Sequence, residues 1–406
     1  MSAVTWNSLA KTINDSQTIA EYIAAQFATH NADDSAHGQS NEALYNHRIA
    51  EILDHVDQSI TNAKILASHR TYSAVVGSDA EDDFDNIQDA IDFVNGLGGG
   101  TIFIKPGTYS QGADLVLYSN VQIESNDPNS VIIDFQDAAY GVQIVGSAGT
   151  HKENISLKNL TFTGSDSSND GVLDIQYADD IRIINCNFVG EYLLVDNGTQ
   201  DIYLDNSTRI YIQNNYFADS RSCISAGTLT DFFFQENYVE SCNLNLIEVF
   251  GVGDKFTISG NYIAQSGGFF YSEYGINHLF IDSNYGYFDT VNMIYLEQAS
   301  FSSITNNRLY GNDQNYNGIT LVSSDRCIVT GNYIYNVNLN GIFIDSDSDR
   351  CVISNNIVNS CDAYGIKINN SNCNNNILLG NVVSNNTSGG ISDSGTGTVS
   401  DDNVST

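Results

Sequence analysis

The chain is poor in positive charge, in proline and in long apolar runs. Its 406 residues include 15 Lys and Arg against 49 Asp and Glu, which gives a formal net charge of −34, and only two prolines. A field of this sign repels nucleic acid and anionic membranes, so we exclude both as partners, and it disfavours strongly anionic polymers. No apolar run reaches 18 residues, so we expect no membrane-spanning helix. The first residues lack the basic and apolar regions of a secretory signal peptide, and we therefore expect folding in a cytoplasm.

The seven cysteines show no metal-ligand spacing such as Cys-x-x-Cys. Three of them, Cys327, Cys351 and Cys373, recur instead at intervals of 24 and 22 residues. This spacing predicts a stacked, reduced ladder inside the protein rather than a framework of disulfides.

An asparagine recurs along the second half of the chain at intervals of 22–28 residues. The series is Asn159, Asn187, Asn215, Asn237, Asn261, Asn284, Asn307, Asn332, Asn356, Asn381 and Asn403. A repeat of this period indicates a solenoid, and the short apolar strands that precede most of the asparagines indicate a β-helix. Asparagine tolerates left-handed backbone and its amide can bond the next coil. We therefore predict these residues at the tight corner of each coil.

The pattern divides the chain into three regions. Residues 1–70 are predicted to be helical, with helices at about 16–29 and 40–66 that oligomerise or attach the protein to a larger assembly. The alternative interpretation is that this region packs as a cap on the β-helix. Residues 71–110 are a linker and a cap, and residues 111–406 are the β-helix.

The cap is predicted from a helix, a glycine-rich turn, a strand and a tight turn. The apolar stripe of the helix consists of Ile87, Ala90, Ile91 and Val94. Glycines within 96–100 end the helix, residues 101–104 form the strand, and Pro106-Gly107 turns the chain. This helix is expected to cover the open end of the first coil, which otherwise exposes core and a strand edge.

This segment resembles the opening of the pectate-lyase-like right-handed β-helix domains. The shared motifs are Ile87-Gln88, Ala90, Gly99-Gly100-Thr101 and Pro106-Gly107-Thr108-Tyr109. Pectin-degrading enzymes, alginate epimerases and phage tailspike depolymerases have such domains. The resemblance covers about residues 83–406 and implies an all-β, right-handed parallel β-helix with an N-terminal capping helix and a helical N-terminal segment.

The N-terminal region is similar to that of phage tail proteins, which often carry a His–Asp–His segment between helices. Here His30, Asp33 and His37 form such a segment. The resemblance implies a homotrimer in a virion tail or outside the cell. A metal held by these histidines is the less favoured interpretation, and a pair of loop histidines is preferred.

Several coils share a five-residue strand in which the second and fourth residues face inward and the third and fifth face outward. The strands lie at 172–176, 246–250, 269–273, 293–297, 318–322, 341–345 and 365–369. Their third positions are Asp174, Glu248, Tyr271, Tyr295, Thr320, Phe343 and Lys367, and their fifth positions are Gln176, Phe250, Glu273, Glu297, Val322, Asp345 and Asn369. We refer to these two outward columns as the strip.

Carboxylates and aromatic rings on one face are typical of a carbohydrate-binding surface. We therefore predict a polysaccharide ligand, bound by Glu248, Phe250, Tyr271, Tyr295, Phe343 and Lys367, with His278 beside them. An ordinary exposed sheet face is the alternative interpretation.

Glycoside hydrolysis needs two carboxyl groups, about 5–5.5 Å apart for retention or about 6.5–9.5 Å apart for inversion. Glu273 and Glu297 are predicted in neighbouring coils, near the shorter spacing. Glu297 and Asp345 are two coils apart, near the longer spacing. We predict Glu273 and Glu297 as the catalytic pair, with Asp345 as the third candidate.

The sequence leaves two other functions open. A polyuronate lyase or C5-epimerase would use Tyr271 or Tyr295 with His278 as acid and base. An adhesin would bind the glycan without cleaving it. We predict no cofactor. The acidic run at 345–349 is the only calcium candidate, and it lacks the glycine and the bidentate glutamate of a calcium loop.

Overall fold

The computed structural model describes residues 72–135, 141–163, 172–189, 200–312 and 316–406. The predicted helices at 16–29 and 40–66, together with His30, Asp33 and His37, lie outside these residues.

The predicted helix of the cap segment is present as α1 (Ile87–Gly96). Asn86 caps its first turn, because its side chain accepts a hydrogen bond from the Asp89 N–H at 3.2 Å. The predicted apolar stripe is buried. The helix is followed by glycines at positive φ, 88° at Gly98 and 121° at Gly99, which L residues rarely adopt. The helix packs on the first strands of the stack.

From residue 100 onward the chain passes in turn through three columns of strands, here A, B and C, and each strand pairs in parallel with the strand one coil away. Column A contains β1 (Ala74–Val76), β2 (Gly100–Ile104), β5 (Val121–Glu124), β8 (Lys152–Lys158), β11 (Ala178–Ile184), β14 (Ser207–Gln213), β17 (Leu229–Gln235), β20 (Gly253–Ser259), β22 (Ile276–Asn277), β23 (Phe280–Asp282), β26 (Ser303–Thr305), β29 (Ile328–Thr330), β32 (Val352–Ser354), β35 (Ile377–Leu379) and β38 (Val399–Asp401).

Column B contains β3 (Gly107–Ser110), β6 (Val131–Asp134), β9 (Thr161–Thr163), β12 (Asn187–Val189), β15 (Tyr216–Ala218), β18 (Tyr238–Val239), the first half of β21 (Tyr262–Ser272), β24 (Tyr285–Phe288), β27 (Arg308–Gly311), β30 (Tyr333–Tyr335), β33 (Ile357–Asn359), β36 (Val382–Ser384) and β39 (Val404–Ser405). Column C contains β4 (Leu115–Val116), β7 (Val142–Val145), β10 (Leu173–Gln176), β13 (Gln200–Asp205), β16 (Ser222–Ala226), β19 (Cys242–Val249), the second half of β21, β25 (Ile294–Glu297), β28 (Ile319–Val322), β31 (Ile342–Asp345), β34 (Tyr364–Ile368) and β37 (Gly389–Asp393).

The result is a parallel β-helix of about 13 coils around one apolar core. Stacking begins before the boundary predicted at residue 111, because β1 pairs with β2 and β2 pairs with β5.

The asparagine ladder is confirmed from Asn215 to Asn403. Asn284 shows the pattern: its side-chain N–H donates to Asn307 Oδ1 at 2.9 Å and to the Ile258 carbonyl at 3.0 Å, and its backbone N–H donates to the same Asn307 Oδ1 at 3.0 Å. Each rung thus joins a buried amide to the asparagine of the next coil and to a backbone carbonyl of the previous coil.

Two details of the predicted ladder were wrong. The left-handed residue of each corner precedes the ladder asparagine, as at Asn214 (φ 56°) and Asn306 (φ 55°). Asn159 and Asn187 are not rungs. Asn159 is itself left-handed (φ 58°), and the backbone N–H of Cys186 donates to Asn215 Oδ1 at 2.8 Å, so Cys186 occupies the rung before Asn215.

The predicted cysteine ladder is confirmed in part. All seven cysteines are free and buried, as predicted, and Cys327 and Cys351 occupy equivalent positions in consecutive coils, directly after the left-handed residues Arg326 and Arg350. Cys373 was wrongly placed in this ladder, because it precedes the corner at Asn375, and Asn376 occupies the next position and accepts the Cys351 N–H at 2.8 Å.

Ser272 is a polar residue that points into the apolar core from column C. It is paired with Val249 on one side and Leu296 on the other, and it is fully buried. Its hydroxyl has no hydrogen-bond partner among the described residues. A buried hydroxyl without a partner costs free energy. We therefore expect Ser272→Ala to leave the free energy of unfolding unchanged or to raise it by up to about 1 kcal/mol, as measured by thermal unfolding.

Ser266 provides the matched control. It is equally buried, but its hydroxyl donates to the carbonyls of Leu244 at 3.1 Å and Gly268 at 2.6 Å. Ser266→Ala is expected to lower the free energy of unfolding by about 1–2 kcal/mol. Equal destabilisation by both substitutions would contradict the expectation.

Candidate functional site

Column C carries the strip in the predicted register. The paired residues along the third-position line are Asp174, Tyr203, Ser225, Glu248, Tyr271, Tyr295, Thr320, Phe343 and Lys367. Along the fifth-position line, Glu297 pairs with Val322 and Val322 pairs with Asp345. The strip is therefore one continuous column of outward positions, in which Asp174, Ser225 and Thr320 are nevertheless buried.

Glu273 and Glu297 are the two neighbouring carboxylates of this face. Tyr271 pairs with Tyr295, and the residues two positions further on are Glu273 and Glu297. Glu273 directly follows β21 and Glu297 ends β25, two strands that lie about 4.8 Å apart. The Tyr271 hydroxyl donates to Glu273 Oε1, and the Tyr295 hydroxyl donates to Glu297 Oε2 at 2.9 Å. The same tyrosine–glutamate pair is thus built twice, in consecutive coils.

The two phenols are held in their protonated form. Burial, and after it the hydrogen bond to Glu297, raises the pKa of Tyr295 to about 12. Burial and then the hydrogen bond to Glu273 also raise the pKa of Tyr271. At neutral pH both tyrosines therefore donate protons to hydrogen bonds and are poor bases.

The aromatic rings of the strip present edges more than faces. The rings of Tyr271 and Tyr295 stack with centroids 5.1 Å apart and an interplanar angle of 23°. Each ring face is thereby partly covered by the other, whereas Phe250 is 50% exposed. We expect a bound sugar to meet phenol edges and hydroxyls at the tyrosines and a free ring at Phe250.

The far end of the strip combines a cation with two rings. Lys367 Nζ lies 5.8 Å from the ring centroid of Phe343 and 5.9 Å from that of Tyr364. Asp345 Oδ1 accepts hydrogen bonds from Asn369 Nδ2 at 3.0 Å and Asn370 Nδ2 at 2.6 Å. Asp345 is thus tied to the following coil and is separated from Glu297 by Val322.

Glu248 is fixed by its own strand. The Asn245 side chain, buried in β19, donates from Nδ2 to Glu248 Oε1 at 2.9 Å. This contact orients one oxygen of Glu248, which is paired with Tyr271 in the next coil.

The structure places His278 between β22 and β23, two strands of column A. It has φ 52°, its Nδ1 lies 2.8 Å from Asp254 Oδ1, and its ring stacks on Phe301 at 5.8 Å. The coil turns between β21 and β22, so His278 is not on the same face as Tyr271 and Tyr295.

Two residues of this face were missed by sequence reasoning. Tyr203 lies between Asp174 and Ser225, and Asp205 lies beside Gln176. Asp174 is only 6% exposed although it occupies an outward position, and it accepts a hydrogen bond from Gln176 Nε2 at 2.8 Å. The alternation of aliphatic with other side chains in Ile202-Tyr203-Leu204-Asp205 could have identified both residues as outward-facing.

Within the described ranges, no group of three or more His, Cys, Asp or Glu side chains is placed to hold a metal ion. In the 345–349 run, Ser348 is buried and its hydroxyl donates to the Asp345 carbonyl at 2.6 Å. In the same part of the chain, no helix is long and apolar enough to cross a membrane.

Comparison with known proteins supports the fold. Residues 277–404 match the family model described as right handed beta helix region. A point mutant of the periplasmic alginate epimerase AlgG is 15% identical with a TM-score of 0.52, and the match covers 78% of this chain and 83% of that one. Tailspike protein 3 of bacteriophage CBA120 is 12% identical with a TM-score of 0.50, over 90% and 68% of the two chains.

The α-1,3-glucanase of glycoside hydrolase family 87 from Streptomyces thermodiastaticus strain HF3-3 is 11% identical with a TM-score of 0.49, over 83% and 67%. No curated protein matches the sequence. At these identities the likeness extends to the fold alone. The predicted fold is confirmed: the chain is a right-handed parallel β-helix.

Proposed function

We propose that the strip binds a polysaccharide and cleaves it by hydrolysis, with Glu273 and Glu297 as the carboxyl pair. The observation that supports this most is the repeated tyrosine–glutamate pair, which sets two carboxylates in adjacent coils on one outward face. The alginate epimerase among the structural neighbours acts on a polysaccharide, which fits a glycan ligand for this fold.

The spacing of adjacent coils corresponds to the shorter carboxyl separation and thus to retention of configuration. One glutamate attacks the anomeric carbon, and the other protonates the departing oxygen and then activates water. Tyr271 and Tyr295 hold the two carboxylates in position through their hydroxyls. Glu297 with Asp345, two coils apart, is the alternative pair and would invert the configuration.

The charges of the strip favour a neutral glycan. Glu248, Glu273, Glu297 and Asp345 face outward there, and Lys367 is the only cation on the described part of the strip. Carboxylates accept hydrogen bonds from sugar hydroxyls but repel uronate groups.

Two alternatives remain as proposals. A uronate lyase or epimerase is disfavoured by the position of His278 and by the raised pKa of the two phenols. A non-catalytic adhesin is compatible with carboxylates that serve only as hydrogen-bond acceptors. From the sequence resemblance we further propose a homotrimer in a virion tail or outside the cell.

Incubation with a panel of neutral and acidic polysaccharides tests these proposals. We expect reducing ends to rise with a neutral polymer without the ultraviolet absorbance of unsaturated uronates. A parallel rise of both signals would indicate a lyase. Retention of the protein on a polymer with neither signal would indicate an adhesin, and both results would contradict hydrolysis.

A further inference from the structure

The corner between columns A and B contains a recess of about 180 Å³ that is partly open to solvent. It is separate from the strip, which lies on column C. The recess is lined by the last residues of β14, β17 and β20 and by the corner residue that follows each of these strands. The lining residues are Gln213, Asn214, Gln235, Glu236, Ser259 and Gly260.

The recess exists because one corner has no side chain. Asn214, Glu236 and Gly260 occupy the same left-handed corner position in three consecutive coils, with φ of 56°, 56° and 67°. A Cβ atom on Gly260 would contact only Glu236, at 3.5 Å from its side chain, and would otherwise point into open space. At the corners of Gly331 and Gly380, a Cβ atom would instead lie 2.6 Å and 2.8 Å from an asparagine Oδ1 of the previous coil.

Two amides and a hydroxyl line one side of the recess in a hydrogen-bonded row. Gln213 Nε2 donates to Gln235 Oε1 at 2.7 Å, and Gln235 Nε2 donates to Ser259 Oγ at 3.1 Å. The row fixes the three side chains but uses only one N–H of each amide. The second N–H of each amide, Gln213 Oε1 and the Ser259 hydroxyl hydrogen therefore stay available for a ligand.

Two aromatic rings border this row on column A. Tyr211 and Phe233 lie two positions before Gln213 and Gln235 and thus face outward from the same strands. Their rings stack with centroids 4.7 Å apart and an interplanar angle of 3°. Aromatic surface beside a few fixed polar groups is the combination that holds the C–H groups and the hydroxyls of a sugar together.

The chemistry of the lining selects the class of ligand. Glu236 is the only ionisable lining residue, so the recess repels an anion and offers a single carboxylate to a cation. Amide, hydroxyl and carboxylate groups do not suit an apolar ligand. The volume is below the roughly 300–1,000 Å³ of pockets for drug-sized ligands. A small neutral molecule with several hydroxyl groups fits these conditions.

We infer that this recess binds one neutral sugar unit and is a second glycan site, which holds a chain without cleaving it. The amides and Ser259 exchange hydrogen bonds with the hydroxyls of the sugar, and Glu236 accepts a further one. Glycoside hydrolysis needs two carboxyl groups, and the lining supplies one. This inference does not depend on the activity of the strip.

Saturation-transfer difference NMR of the full chain with single sugars tests the inference. The probes are glucose, galactose, mannose and N-acetylglucosamine. We expect at least one of them to give a signal that loses at least half of its intensity in Gly260→Asn, the remainder coming from the strip. Asparagine already occupies the corner at Asn214 and Asn306, so this substitution fills the recess and keeps the backbone conformation. No signal from any probe, or equal signals from wild type and Gly260→Asn, would overturn the inference.

Gly331→Asn is the matched control, because it makes the same substitution at a left-handed corner (φ 70°) three coils away and outside the recess. It is expected to keep the wild-type signal. Gln235→Leu removes the central amide at nearly the same size and should lose as much signal as Gly260→Asn, with circular dichroism confirming that both variants are folded. Full signal from Gln235→Leu, or an equal loss in Gly331→Asn, would overturn the inference. A single sugar has no glycosidic bond to cleave, so this result is separate from failure of the proposed hydrolysis.

Discussion

Glu273→Gln and Glu297→Gln are each expected to reduce polysaccharide cleavage by about 10²–10⁴-fold, with little change in binding. Glutamine keeps the size of the side chain and an oxygen that accepts the tyrosine hydrogen bond, but it neither transfers a proton nor carries the charge that stabilises an oxocarbenium-like transition state. The measurement is kcat and KM from reducing ends, together with the anomer first released, for which retention is expected.

Glu240→Gln is the matched control, because Glu240 Oε2 accepts a hydrogen bond from the Tyr216 hydroxyl on column B. This contact is also a tyrosine hydroxyl on a glutamate, but it joins neighbouring coils and lies on column B. Full turnover by both strip variants would disprove their catalytic role. An equal loss in Glu240→Gln would show that the effect is structural.

Asn307→Ala is expected to lower the free energy of unfolding by about 3–5 kcal/mol. Asn307 is fully buried, its side-chain N–H donates to the Ile281 carbonyl at 3.0 Å, and its Oδ1 accepts from both N–H groups of Asn284 at 2.9–3.0 Å. Alanine leaves the backbone N–H of Asn284 buried without its partner, which costs about 1–3 kcal/mol, and it removes the hydrogen bonds to Asn284 Nδ2 and to the Ile281 carbonyl, each of which contributes about 1 kcal/mol. The midpoint of thermal unfolding should fall by about 10 °C.

The neighbouring Asn306 gives the control. It holds the left-handed corner (φ 55°), and its side chain makes an exposed hydrogen bond to Asp282 Oδ1 at 3.0 Å. Asn306→Gly keeps that backbone conformation available and should lower the midpoint only slightly. A similar loss from both substitutions would mean that the amide ladder contributes no more than the corner.

The sequence was sufficient for the fold because one polar residue per coil repeats at a nearly fixed interval. It could not separate the left-handed corner from the rung, because asparagine occurs in both roles once per coil, so Asn159 was misplaced. Asn187 was misplaced because Cys186 holds the rung of that coil and Asn187 begins β12. The strip was predictable from period-two alternation. Tyr203 and Asp205 escaped because ten residues, 190–199, lie between β12 and β13, whereas only three, 219–221, lie between β15 and β16 in the next coil. The stacking of the Tyr271 and Tyr295 rings could not be predicted, because stacking depends on side-chain rotamers, which the spacing of residues in the sequence does not specify.

The rung pattern sets the length of the β-helix in units of whole coils. Residues 307–331 begin at the rung Asn307 and end just before the next rung, Asn332. If they were deleted, Asn332 would follow Asn306, and its Oδ1 would accept hydrogen bonds from the N–H groups of Asn284. The stack would shorten by about 4.8 Å. Val322 would leave with that segment, and Asp345 would become the direct neighbour of Glu297. Gain or loss of one whole coil is therefore a route by which this architecture can change the spacing of its carboxylates, and with it the stereochemistry of a reaction, without altering its cross-section.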